Sequence, residues 1–204
     1  MNSALSFHYP AAMEAFLVSA GIVALAEIGD KTQLLAFVLA ARYRRSGPII
    51  LGIALATLVN HALAGLVGHL VVQAMGPTAL RYGLAVSFIA MAGWILVPDA
   101  IDEKTELPKS RFGILGTTVI AFFLAEMGDK TQIATVILAA RYPSVVAVVC
   151  GTTAGMLLAN VPAVLIGQRL AGRLPIRLVH TLAAIIFVVL GLWALIAPRM
   201  PLGN

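Results

Sequence analysis

Ala26-Glu27-Ile28-Gly29-Asp30-Lys31-Thr32-Gln33 returns 99 residues later as Ala125-Glu126-Met127-Gly128-Asp129-Lys130-Thr131-Gln132. Each copy sets two carboxylates and a lysine inside a long apolar run. Ionisable groups at that depth cost several kcal/mol unless paired or functional, so the cluster reads as a functional site. Glu27, Asp30, Glu126 and Asp129 are hard oxygen donors of the kind that suit Ca²⁺, Mg²⁺ and Mn²⁺. Thr32, Gln33, Thr131 and Gln132 add neutral oxygens that help complete six-fold coordination. Four carboxylates against two lysines leave a charge of −2, which a divalent cation neutralises. The motif holds no cysteine and no histidine cluster, so zinc and copper fit poorly. Burial and like charge both favour the protonated form of a carboxylate, so such a site can exchange a metal ion for protons. The chain has no phosphate-binding Walker loop, which points to transport driven by a gradient. No cofactor is implied beyond the transported ion.

A plainer reading competes. Taken as helix, each copy places Glu27 and Asp30, or Glu126 and Asp129, on one face, with Lys31 or Lys130 four residues after the glutamate. Glu27–Lys31 and Glu126–Lys130 would then be structural ion pairs pinning two halves together. The duplication and the excess of two carboxylates favour the site. The lysines either balance charge in the empty site or gate it, and both roles stay open. Asn60, His61 and Asn160 fall mid-span, with His61 and Asn160 again 99 residues apart. A mid-membrane asparagine is commonly an interhelical hydrogen-bond partner. Membership of a second shell or a proton relay is the competing role, since a histidine side chain ordinarily titrates near neutrality.

The elements that position these residues follow from hydropathy. Of 204 residues, 60% are hydrophobic and 11% charged, against about 25% charged in soluble domains. A spanning helix needs about 20 apolar residues. Six segments qualify, at 12–41, 48–74, 80–97, 112–140, 144–168 and 176–197. The first and fourth are close to 30 residues long and hold a central glycine, which fits tilted or broken helices better than regular ones. Residues 1–97 form a first three-helix repeat, 98–111 a polar cytoplasmic linker, and 112–204 a second repeat. Three crossings return the chain on the opposite side, so the repeats are inverted. The fold class is an all-α membrane protein of six transmembrane helices. Nine Lys and Arg residues, among them Arg42, Arg44, Arg45, Arg169 and Arg173, flank one face. Arg81, Arg141 and Arg199 flank the other. The rule that positive loops stay inside puts the nine in the cytoplasm and both termini outside. The basic residues beside spans set orientation and do not indicate nucleic acid. The lipid bilayer is the partner, besides the ion and protons. The first ten residues lack the positive start of a signal peptide, so the first span is expected to be retained. Cys150 reads as a small buried residue.

These residues resemble the GDT-type cation antiporters, a family with two Glu-x-Gly-Asp-Lys/Arg-Thr/Ser motifs. Its bacterial members export manganese, and its Golgi and chloroplast members move Mn²⁺ and Ca²⁺. Glu27 to Thr32 and Glu126 to Thr131 match without departure, and the repeat architecture extends the resemblance over the whole chain. The resemblance implies export of Mn²⁺, with Ca²⁺ as the alternative, in exchange for protons by alternating access at the bacterial inner membrane. The acidic motif residues would bind the ion. An exporter of small organic solutes would need a pocket with one carboxylate and apolar lining. A membrane scaffold would tolerate loss of the motif acids.

Overall fold

The computed structural model describes residues 3–96, 113–166 and 176–196, and its regular structure there is helical throughout. Among the described residues eight helices follow one another: α1 (Ser3–Glu27), α2 (Lys31–Tyr43), α3 (Ser46–Ala74), α4 (Pro77–Ile95), α5 (Gly113–Glu126), α6 (Lys130–Arg141), α7 (Val145–Ile166) and α8 (Ile176–Ile196). The second, third, fifth and sixth apolar segments of the sequence are α3, α4, α7 and α8. The first and fourth are each broken into two helices, and both breaks fall inside the motif. α1 and α2 meet at 75°. The expected linker at 98–111 and the cationic residues Arg169, Arg173 and Arg199 lie outside the described residues.

α3 and α7 are each long and apolar enough to cross a bilayer, and the bent α1–α2 pair makes a third crossing if counted as one span. α5 and α6 have 14 and 12 residues, short of the ~20 that a straight crossing takes. The chain is nonetheless built for lipid. α3 exposes Leu51, Leu55, Leu58, Leu63, Leu66 and Leu70, while Thr57, Asn60 and His61 on the same helix are buried. Polar groups inside and leucines outside reverse the pattern of a soluble helix. Cys150 does not pack inside as expected; it is exposed, on the outward face of α7. α7 runs unbroken through Pro162.

The two halves interleave. α7 packs on α1 and α2, α3 packs on α5 and α6, and α4 pairs with α8. Each half's longest helix therefore lies against the broken pair of the other half. The contacts repeat with the sequence. A side chain on Gly52 would strike Thr118 and the Leu115 carbonyl, and one on Gly151 would strike the Phe16 carbonyl. Leu115 is Phe16 displaced by the same 99 residues. These glycines let α3 approach α5, and α7 approach α1, at backbone distance. α4 and α8 meet through Phe88 and Phe187, again equivalent positions, with ring centroids 6.0 Å apart. Two apolar cores result. One gathers Ile22, Phe88, Leu138 and Phe187; the other gathers Leu39, Ile49, Ile53, Phe122 and Met156. Both include residues of the helices that carry the motif.

Candidate cation site

The glycine of each motif breaks the helix. Gly29 has φ +86° and Gly128 φ +76°, left-handed values that glycine adopts without steric cost. The turn closes through the Asp30 N–H on the Glu27 carbonyl at 3.0 Å, and the Asp129 N–H on the Glu126 carbonyl at 3.1 Å. Asp30 and Asp129 then stand extended, as N-caps of α2 and α6, and neither side chain caps its own helix. Their carboxylates are left to face elsewhere.

The motif glutamines hold this turn. The Gln33 Oε1 accepts the Gly29 N–H at 3.1 Å, and the Gln132 Oε1 accepts the Gly128 N–H at 2.7 Å. Both act from the third helical position, much as a capping box does. Gln33 also donates to the Ala159 carbonyl of α7 at 3.0 Å. The carboxamide oxygens expected as metal donors are thus engaged by backbone.

The break brings acids from both halves together. Glu27, Asp30 and Asp129 each offer an oxygen within 4.8 Å of the others, and all three are buried. Glu126 is fully buried too, but its Oε2 accepts the Thr131 hydroxyl at 2.9 Å. The four expected carboxylates therefore divide into a close group of three and a fourth held by Thr131. The Thr131 hydroxyl also lies 3.5 Å from Asp129 Oδ2. Thr32 is buried, and its hydroxyl has no protein partner. Glu27 Oε2 and Glu126 Oε1 likewise accept no hydrogen bond from the protein.

The intrahelical Glu27–Lys31 pair is corrected. The helix ends at Glu27 and restarts at Lys31, so the two are not one turn apart on a continuous helix. Lys31 Nζ instead reaches Asp129 Oδ1 of the other half at 3.4 Å, with a third of its side chain exposed. Lys130 is buried, at 3% exposure. Equivalent lysines thus sit in different surroundings.

The mid-span polar residues also separate. Asn160 Nδ2 donates to Glu27 Oε1 at 3.1 Å and so joins the acidic group directly. Asn60 Nδ2 donates to the Phe123 carbonyl at 3.1 Å, bracing the last turn of α5. His61 is fully buried, and neither ring nitrogen has a protein hydrogen-bond partner.

Both halves have an Arg-Tyr pair ending the second motif helix and a tryptophan near the end of the last helix, each at the 99-residue offset. Arg141 is buried and lies over the Trp193 ring at 4.2 Å and the Tyr142 ring at 5.3 Å. The Tyr142 hydroxyl lies 3.5 Å from Glu14 of α1. In the other half Arg42 is exposed, 5.7 Å from the Tyr43 ring, while the two tryptophans are similarly exposed, Trp94 at 41% and Trp193 at 48%. The sequence carries the signal for this cluster as a repeated Arg-Tyr and Trp, but only the fold reveals that one copy is assembled.

The family model described as "Divalent cation/proton antiporter GDT1" matches residues 15–103 and 114–201, one stretch over each copy of the motif. The chain belongs to the GDT1 family of divalent cation/proton antiporters. It is a transporter, integral to a membrane, and not an enzyme. A Vibrio cholerae protein named "Putative manganese exporter" is 51% identical over 88% of this chain and 90% of its own length. The GDT1-like protein sll0615 of Synechocystis is 27% identical over 91% of this chain and 100% of its own length. GDT1-like protein 3 of Oryza sativa is 28% identical over 88% of this chain and 72% of its own length. No solved structure matches the chain.

Proposed function

We propose that this GDT1 protein exports Mn²⁺ from a bacterial cytoplasm in exchange for protons. One observation carries the site assignment: three buried carboxylates from both halves, with oxygens within 4.8 Å of one another. Glu27, Asp30 and Asp129 hold the ion, Glu126 completes its charge balance, and Thr32 and Thr131 supply hydroxyl oxygens. Gln33 and Gln132 hold the turns that aim the acids. The C-terminal ends of α1 and α5 add to the field, because a helix C-terminus carries partial negative charge. Broken helices whose ends face an ion near the midplane are how secondary transporters bind cations.

Lys31 stands in for the cation. Its contact with Asp129 neutralises one acid while no ion is bound, and an arriving dication displaces it. Protons that settle on the carboxylates when the ion leaves make the return trip. The relative named as a manganese exporter is the support for Mn²⁺ over Ca²⁺.

We read the repeats, 1–97 and 112–204 joined by 98–111, as inverted, with six crossings of the inner membrane and both termini outside. Alternating access follows from their asymmetry. The Arg141–Trp193 stack latches the outer end of α6 to α8, while Arg42 and Trp94 leave the cytoplasmic end of α2 open. In the opposite state Arg42 stacks on Trp94 and the outer latch parts.

The test is Mn²⁺ uptake into vesicles containing the purified protein. Wild-type protein moves Mn²⁺, and Asp30→Asn and Glu126→Gln, expressed at normal levels, do not. Wild-type flux in both variants rejects the site.

A further inference from the structure

The Asn160 amide nitrogen has three acceptors around it: Glu27 Oε1 at 3.1 Å, the Met156 carbonyl at 3.2 Å and Met156 Sδ at 3.0 Å. An amide nitrogen has two hydrogens. One acceptor is always left over, and a thioether is the weakest of the three. The sulfur, 3.0 Å from the Asn160 amide nitrogen, is thus the acceptor most readily given up at this junction. Glu27, Met156 and Asn160 are all fully buried, and Asn160 Oδ1 takes no hydrogen bond from the protein. Met156 and Asn160 are four residues apart on α7, on one helix face. That face meets the end of α1, where Glu27 begins the acidic group.

A buried methionine is ordinarily core filling, and Met156 does pack among Leu39, Ile53 and Phe122. Packing alone asks nothing of the sulfur. The equivalent position in the other half is Thr57, and the equivalent of Asn160 is His61. The thioether therefore sits beside only one of the two motif glutamates, the one in the close acidic group.

We propose that the Met156 thioether is a selectivity-determining donor of the cation site, favouring a transition-metal dication over Ca²⁺ and Mg²⁺. The proposal rests on the antiporter reading above. Ca²⁺ and Mg²⁺ take oxygen ligands and gain little from sulfur. A transition ion keeps more of its binding energy when one oxygen is replaced by a soft donor. The advantage grows with the softness of the ion, so Cd²⁺ depends on Met156 more than Mn²⁺ does.

The experiment compares wild type, Met156→Leu and Met156→Cys in vesicles, with Mn²⁺, Cd²⁺, Ca²⁺ and Mg²⁺ offered singly and in competition. Leucine keeps the volume and removes the sulfur; cysteine keeps the sulfur. Met156→Leu raises the KM for Mn²⁺ about tenfold, the loss typical of a disturbed metal site. It raises the KM for Cd²⁺ further and leaves that for Ca²⁺ in place. Met156→Cys retains the preference for Mn²⁺ and Cd²⁺. An unchanged Mn²⁺/Ca²⁺ ratio in Met156→Leu protein with wild-type melting overturns the proposal and leaves the antiporter standing. If Met156→Leu does not fold, a Met156→Cys protein that loses its preference for Mn²⁺ and Cd²⁺ overturns it equally. A wild type that moves none of the four ions overturns both.

Discussion

Asn160 and Gln33 show how closely this site depends on neutral side chains. Asn160 fixes the carboxylate of Glu27 across the interface between halves. Replacing it with alanine removes a buried hydrogen bond to a charged group, worth about 1.5–3 kcal/mol. Asn160→Ala is therefore expected to raise the KM for Mn²⁺ at least about tenfold, with expression maintained, as measured by initial rates of uptake. Gln33→Ala removes the acceptor of the Gly29 N–H and the bond to the Ala159 carbonyl across the halves. It should lower melting temperature and transport together, which a thermal scan on purified protein reads. The acids themselves were legible in the sequence, because charge inside an apolar run has few innocent explanations. The jobs of the amides were not. A glutamine beside a carboxylate reads as a ligand, and only the turn at Gly29 reveals that its oxygen also accepts a backbone N–H.

At the scale of the element, the break at each motif glycine separates this chain from a bundle of straight helices. The length of the first and fourth apolar segments, with glycine at the centre, favours a tilted or broken helix over a regular one. The partner of Lys31 could not be read that way. Helical spacing put it one turn from Glu27, but the break carries it to Asp129 in the other half. A side chain on Gly128 meets nothing within 4 Å, so the cost of substitution there lies in the backbone. Gly128→Ala should cost about 1–2 kcal/mol for the left-handed conformation, and Gly128→Asn less, since asparagine tolerates it better. Paired melting measurements on the two variants check the order. The latch belongs to this scale too. Trp193→Ala removes the ring under Arg141 and should expose the motif to the outer face. A cysteine placed at Thr32, in a Cys150→Ser background, then reacts with an external reagent faster than it does with Trp193 intact. An unchanged rate rejects the latch.

Over the whole molecule, repetition is what the sequence conveys best. The 99-residue offset that links the motifs also links Gly52 with Gly151, Phe88 with Phe187 and Trp94 with Trp193. In the fold the glycine and phenylalanine pairs become equivalent contacts between interleaved halves. The sequence does not convey which helices cross to the other half, because packing of α7 on α1 and of α3 on α5 is set by shape at the glycines and leaves hydropathy unchanged. It also does not convey asymmetry. Identical Arg-Tyr pairs gave no reason to expect Arg141 buried and Arg42 exposed. Orientation is tested by cysteine labelling: Arg44→Cys should react only from the cytoplasm and Arg81→Cys only from outside, both with Cys150 replaced. Labels on the opposite faces would invert the assigned orientation.

The central claim is that one buried acidic site exchanges a dication for protons. It is tested most directly by Mn²⁺ entry into proteoliposomes holding a trapped pH dye, with an acidic lumen, for wild type and Asp129→Asn. Mn²⁺ should enter wild-type vesicles while the lumen turns alkaline in step, and Asp129→Asn should abolish both signals. Mn²⁺ entry with no change in lumen pH, or wild-type flux in Asp129→Asn, contradicts the account.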